Sequence, residues 1–312
     1  RDLHYPLRRQ RQMCIRDRKK LILTFCVFVL ASCGGTDSSI NTGADESASN
    51  SATATLEAIL DSQTDAMKKR YAFRNPKETL EFFGIEPGMT VVEALPGGGW
   101  YTKLLVPYLG SEGKLVGANY AMGMWSFFGY KGERLDNMKK WPQTWPAEIN
   151  DKSQSSGGAS AAGFMFGDMP YSMKETADAV LLIRAVHNLA RFESQGGFLT
   201  AAIQNTFDIL KPGGVVGIVQ HQARDEMPDE WADGSKGYLK KSFVIDLMER
   251  AGFELVGESD VNQNPKDQPT AEDIVWRLPP SLATSKDDDE LKNSLESIGE
   301  SNRMTLKFKK PV

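Results

Sequence analysis

The sequence predicts an α/β protein built on a doubly wound, mostly parallel sheet of seven strands whose last strand is antiparallel. Three observations carry this. From about residue 56 onward, short apolar runs alternate with stretches of helical spacing. The first such run is followed by a glycine loop, "EALPGGGWYT", Glu93 to Thr102, where an open α/β sheet would bind a ligand. The chain closes on "MTLKFKKP", a strand pattern with no helix after it.

Taken in order, residues 1–18 are excluded from the fold, because "RQMCIRDR" resembles translated sequencing-adapter remnants. A basic "RDRKK" then leads into "LILTFCVFVL", ten residues that are too short to cross a bilayer of roughly 30 Å as a helix. With "ASC" after it, the segment 19–33 reads as a signal peptide. "LASC" resembles the bacterial lipobox, which implies lipidation at Cys33; Gly34 after it implies the periplasmic face of the outer membrane. Cys14 and Cys26 lie in segments expected to be removed, so neither a disulfide nor a cysteine metal site is expected. Residues 34–55 are nearly all small and polar and read as a disordered tether.

Residues 56–312 carry the domain. "TLEAILDSQTDAMKKRYAFR" has helical spacing, and "NPKETLEFFG" offers Asn75 as N-cap, Pro76 at the first position, Glu78 three after the cap and Gly84 at the end. There follow "TVVEAL", a helix from Tyr101 through Leu109, "KLVGAN", "ADAVLLIRA", a helix through Ile209 and Leu210, "VVGIVQH", the helix "KSFVIDLMERAG" and "FELVGES". Two stretches, about 120–166 with its aromatics and 262–302, read as insertions at the carboxyl ends of strands and hence as lids. The first 20 residues carry net +6 against a whole-chain −4, leaving −10 elsewhere, so nucleic acid is not an expected partner.

Gly97, Gly98 and Gly99 provide backbone freedom and exposed amides at a helix start. A dinucleotide fingerprint would need a third glycine where Thr102 stands, and no GK[ST] phosphate loop occurs. The loop instead resembles motif I of class I S-adenosylmethionine-dependent methyltransferases. Glu93 is the motif acid, Gly97 and Gly99 fill two glycine positions, and Leu95 stands where the first belongs. "LKPGG", Leu210 to Gly214, matches the turn before the fifth strand, although it is also simply a helix-ending turn. A bacterial group known as predicted methyltransferases shares wording from Ala72 to Lys309, including "HN", "NPKD", "VWRLPP" and "IGESNRMTLKF".

The resemblance implies a Rossmann-like fold, S-adenosylmethionine as cofactor and a small-molecule substrate. It implies that Glu93 holds the ammonium group and that Pro96, Gly97, Gly98, Gly99 and Tyr101 pass beside the methionine part. Asn119 stands where an acid usually meets the ribose, and Asp168 with Met169 suits the adenine; the alternative for Asp168 is a turn residue. His187 and His221 fall at the ends of the fourth and fifth strands, and His187 is the expected base or substrate contact, with Asn188 and His221 in support. No HxH or HExxH spacing points to a metal. Arg70, Arg74 and Arg184 can meet a carboxylate, but arginine on a charged face is usually solvated. Two functions stay open: methyl transfer to a small molecule by a lipid-anchored enzyme, or a non-catalytic periplasmic ligand-binding lipoprotein of the same fold. A Rossmann-type oxidoreductase is a weaker third.

Overall fold

A computed structural model describes residues 56–312. The segment 1–18, the expected leader with Cys33, and the tether lie outside the described residues. Seven strands form one sheet: β1 (Thr90–Ala94), β2 (Lys114–Asn119), β3 (Ser160–Met165), β4 (Ala177–Ile183), β5 (Leu210–His221), β6 (Glu254–Ser259) and β7 (Arg303–Lys309). Their order is β3-β2-β1-β4-β5-β7-β6. Strands β1 to β5 pair in parallel, and β7 inserts between β5 and β6 antiparallel to both. The doubly wound sheet with an antiparallel last strand is therefore the one the sequence predicts.

The principal helices are α1 (Pro76–Phe83), α2 (Thr102–Leu109), α3 (Gly132–Ser156), α4 (Val186–Arg191), α5 (Phe198–Ile209), α6 (Lys241–Arg250) and α7 (Asp289–Ile298). Pro76 opens α1 and Gly84, at φ 73°, closes it. Asn75 does not cap it through its side chain. Its Nδ2 instead donates to the Val261 carbonyl at 2.6 Å, tying the helix start to the segment after β6. Among the described residues no helix is long and apolar enough to cross a membrane.

Alternation along β1 sorts its side chains between two cores. Val92 and Ala94 enter the core that contains Leu199, Ala202 and Val244 of α5 and α6, and Val91 enters the other with Leu104 and Leu105 of α2. By the same alternation Glu93 shares the face of Val91, beneath α2. This period decides where the motif acid can point.

The stretch 120–166 holds more than the expected insertion. Helix α3 is the crossover between β2 and β3, and it presses Trp141 and Trp145, stacked 5.2 Å apart, onto the sheet. Gly117 makes this possible, since a Cβ there would lie 2.7 Å from Trp145 and 2.8 Å from Trp141. Pro142 and Pro146 sit inside α3, where proline ordinarily ends or kinks a helix. "LKPGG" also departs from expectation. Helix α5 ends at Ile209, and Leu210 is already extended and pairs with Ala177 before the register shifts. The segment is thus the irregular start of β5, with Gly213 at φ 78° donating its N–H to the Lys310 carbonyl at 2.9 Å.

Candidate functional site

Strand order reverses between β1 and β4, and a crevice opens beyond their carboxyl ends, the usual ligand position in such sheets. The glycine loop follows β1 and splits this crevice. On one side lies a cavity of about 290 Å³ lined by the loop, by Ile183 at the end of β4 and Arg184, His187 and Asn188 after it, by His221, and by parts of 275–281 and 300–301. On the other side a cavity of about 420 Å³ is lined by Asn119, Tyr120, Trp125, Tyr130, Met138 and Trp141. Leu95 and Gly97 border both. Both stretches read as lids therefore supply cavity walls.

The loop's geometry follows from its residues. Leu95, standing at the missing glycine, has φ 53°, the left-handed conformation that glycine adopts freely and leucine only with strain. Its N–H donates to the Ala118 carbonyl at 2.7 Å, which fixes the loop to the end of β2. Gly97 and Gly99 have φ 54° and 71°. Gly98 needs no special conformation, but a Cβ there would meet nothing within 4 Å, so its side faces open space.

Five residues expected to hold a cofactor, Glu93, Gly99, Tyr101, Asp168 and Met169, do not line either cavity. Glu93 is buried beneath α2, accepting a hydrogen bond from the Thr102 hydroxyl at 2.6 Å. Burial pushes its carboxyl up to about 7, against the weaker opposing effect of the Thr102 bonds. Tyr101 is packed into the core beside Trp100, with ring centroids 4.8 Å apart. Asp168 is exposed after β3, away from both of these cavities, while Met169 packs half-buried against the core. Asn119 does line the larger cavity, yet its Oδ1 already accepts from the Tyr120 N–H at 2.8 Å. It can therefore offer a ligand its amide hydrogens more readily than an acceptor. Trp125 adds a donor the sequence reading missed, a buried indole N–H with no partner among the described residues. Its only signal in the sequence is that it is one of several aromatics in the stretch expected to form a lid.

His187, Asn188 and His221 are brought together in the smaller cavity, the two imidazoles 5.1 Å apart. Gln220 sets the His187 tautomer. Its Nε2 donates to the Gly237 and His221 carbonyls at 3.1 and 3.3 Å, so its Oε1 is the end that faces His187. That oxygen accepts from the His187 backbone N–H and lies 3.2 Å from Nδ1, which must then carry the proton. Nε2 is left as the acceptor. Burial lowers the His187 pKa to about 4, offset only in part by the Gln220 bond, so the ring is neutral at pH 7. Burial also holds His221 well below its ordinary value, with His187 adding to the effect, and its Nδ1 contacts the Ser301 hydroxyl. Asn188 donates from Nδ2 to the Tyr120 hydroxyl at 2.9 Å, linking the two cavities.

The arginines are not solvated as their residue type suggested. Arg70, Arg74 and Arg303 all pair with Glu300, the latter two at 3.1 Å, and Arg74 lies over the Trp100 ring at 4.6 Å. Glu300 is drawn from "IGESN", more than 200 residues from Arg74, and no local spacing announces the pairing. A second knot holds the 262–302 segment. The buried Asp267 of "NPKD" accepts from Arg277 at 2.9 Å, from Tyr238 at 3.0 Å and from the Asn302 N–H at 2.9 Å. Among the described residues no group of three His, Cys, Asp or Glu side chains is placed to hold a metal.

No family model matches the chain, and no curated protein matches it. Among solved structures it is similar to the cyclase SpnF, with 14% identity, 77% of this chain and 80% of that one covered, and a TM-score of 0.47. It is similar to a SAM-dependent methyltransferase from Aquifex aeolicus, with 17% identity, 66% and 93% covered, and a TM-score of 0.44. It is also similar to a geranyl diphosphate methyltransferase in complex with SAM, with 14% identity, 81% and 94% covered, and a TM-score of 0.44.

Proposed function

We propose that this protein binds S-adenosylmethionine across the glycine loop and directs its methyl group to a small molecule in the neighbouring cavity. One observation carries the reading: Leu95 and Gly97 border an aromatic cavity on one side and a cavity holding two histidines on the other. The aromatic side fits a nucleoside. Tyr120, Trp125 and Trp141 offer ring faces, Asn119 an amide, and Trp125 a buried N–H that has no acceptor among the described residues. Gly98 leaves room for a ligand against the backbone.

When bound, S-adenosylmethionine supplies the methyl group. The loop amides and Asn119 orient it, and the 275–281 segment screens the smaller cavity from water. His187 Nε2 takes the proton that a hydroxyl or amine acceptor gives up. With a pKa near 4 it is a weak base, so its main contribution is to align the acceptor, with proton uptake helped by any anion bound nearby.

A second reading, a ligand-binding domain of the same fold without catalysis, is favoured by the absence of Glu93 and Asp168 from the cavity walls. Calorimetry with S-adenosylmethionine, S-adenosylhomocysteine and NAD separates the two. The methyltransferase reading expects heat with both sulfur nucleotides and none with NAD; no heat with either removes it. The leader sequence adds export and lipidation at Cys33, so that contact with a membrane runs through the lipid alone. Labelling with a fatty-acid analogue checks this, and label retained by Cys33→Ala overturns it.

A further inference from the structure

We infer that the smaller cavity is an acceptor site for a small molecule carrying a carboxylate, received by Arg184 and Trp100. The inference rests on the proposed methyl transfer for the word acceptor, but the anion site itself stands on separate observations. Arg184 follows β4 with φ 56°, a left-handed conformation that a side chain adopts only under strain. Its N–H donates to the Val219 carbonyl at 2.6 Å, which holds the turn beside β5. The guanidinium has no hydrogen bond or ion pair among the described residues, and its Nε is buried without a partner.

Charge accounting around it points the same way. Glu300 is the acid in this part of the cavity wall, and Arg70, Arg74 and Arg303 already engage it. Four arginines thus face one carboxylate. The other groups nearby do not compensate: His187 and His221 are neutral, and burial keeps the Tyr101 hydroxyl protonated. A buried guanidinium without an anion is costly, and a bound anion relieves that cost.

The wall holds a second orphan. Trp100, which lines the same cavity, has its indole N–H buried with no partner among the described residues. Two unmatched donors on one cavity call for an acceptor-rich group, and a carboxylate suits the guanidinium fork. Ile183, Trp276, Pro279 and Pro280 supply an apolar remainder, so the ligand is an organic acid rather than a bare ion.

One carboxylate chemistry has two sources here, the acceptor molecule or the methionine end of the cofactor. The test uses the full chain with acetate, benzoate and 4-hydroxybenzoate, each against its neutral amide, followed by tryptophan fluorescence and calorimetry. At least one acid is expected to bind at millimolar concentration and its amide not to. Arg184→Gln should weaken that acid about tenfold or more, as loss of a charged hydrogen bond does, and leave S-adenosylhomocysteine unchanged. Trp100→Phe keeps the ring, removes the donor and should weaken the acid by a smaller factor; if Arg184→Gln does not fold, this variant decides. Arg184→Lys, which keeps charge without the fork, should fall between wild type and Arg184→Gln.

Acids that bind no better than their amides, or that bind Arg184→Gln and Trp100→Phe as well as wild type, overturn the inference. A tenfold loss of S-adenosylhomocysteine in Arg184→Gln also overturns it, because the carboxylate would then be the cofactor's own. If the acids bind as expected but no sulfur nucleotide binds the wild type, the anion site stands and the methyl-transfer reading fails.

Discussion

Two of the cavities beside the glycine loop share Leu95 and Gly97 and differ in almost everything else. One is walled by Tyr120, Trp125, Tyr130 and Trp141 and holds no charged side chain; the other gathers Arg184, His187, His221 and Glu300. A neutral aromatic wall favours a flat, weakly polar group, whereas an excess of buried cation favours an anion. The difference teaches that a single crevice at the switch point of this sheet is divided into two chemically distinct sites by one loop. The proposed division of labour between a nucleoside and a polar partner rests on that difference.

The largest effect should come from filling the open space along the glycine loop, at Gly98 on the wall of the smaller cavity. Gly98→Leu places a side chain where a Cβ meets nothing, so the fold should persist while affinity for S-adenosylhomocysteine falls roughly 100-fold, about 3 kcal/mol. Calorimetry together with a thermal melt checks both halves. Unchanged affinity would mean that the loop is only a turn.

Two buried groups give the next effects, and they run in opposite directions with pH. Glu93 has a folded pKa raised from 4.5 to about 7, so the folded state keeps its proton longer than the unfolded chain. Stability from this group is greatest below pH 4.5 and falls as pH rises toward 7, by roughly 3 kcal/mol. Glu93→Gln should remove that decline and be more stable than wild type above pH 7. His187 has its folded pKa lowered from 6.5 to about 4, so its contribution is present above pH 6.5 and is lost as pH falls toward 4. In denaturant titrations, His187→Gln should flatten that acid-side loss. Because Glu93 lies under α2 and not on a cavity wall, Glu93→Gln should also leave nucleotide affinity within about twofold. A large loss there would restore it to the cofactor contact that its motif position implied.

The smallest effect sharpens the contrast between the sites. Trp125→Phe removes one donor and keeps an aromatic ring, so S-adenosylhomocysteine should weaken by about 1 kcal/mol while binding in the arginine cavity is untouched. Equal weakening in both cavities would show that they are not separate sites.

Much of the fold was legible because burial leaves periodic traces. The strands "TVVEA" and "ADAVLLI" are nearly continuous apolar runs, as parallel strands covered on both faces must be. Strand β3 was not legible. "SAAGFM" is built of small residues because Gly163 lies against Pro142 of α3, and the two prolines of α3 hid the helix that packs on it. At the site, the period of β1 turns Glu93 away from the crevice, which a motif defined by positions along the chain does not convey. The arginine cluster was illegible for another reason. Arg70 and Arg74 meet Glu300 only through the fold, and although Arg303 stands three residues after Glu300, nothing in local spacing separates a buried arginine from a solvated one.

A crystal structure of the protein with S-adenosylhomocysteine tests the central claim most directly. The account predicts the adenosine among Tyr120, Trp125 and Trp141, the sulfur at Leu95 and Gly97, and the cavity of Arg184 and His187 left for a second molecule. Adenosine seated against Arg184 and His187 instead, or bound away from the glycine loop, would contradict it.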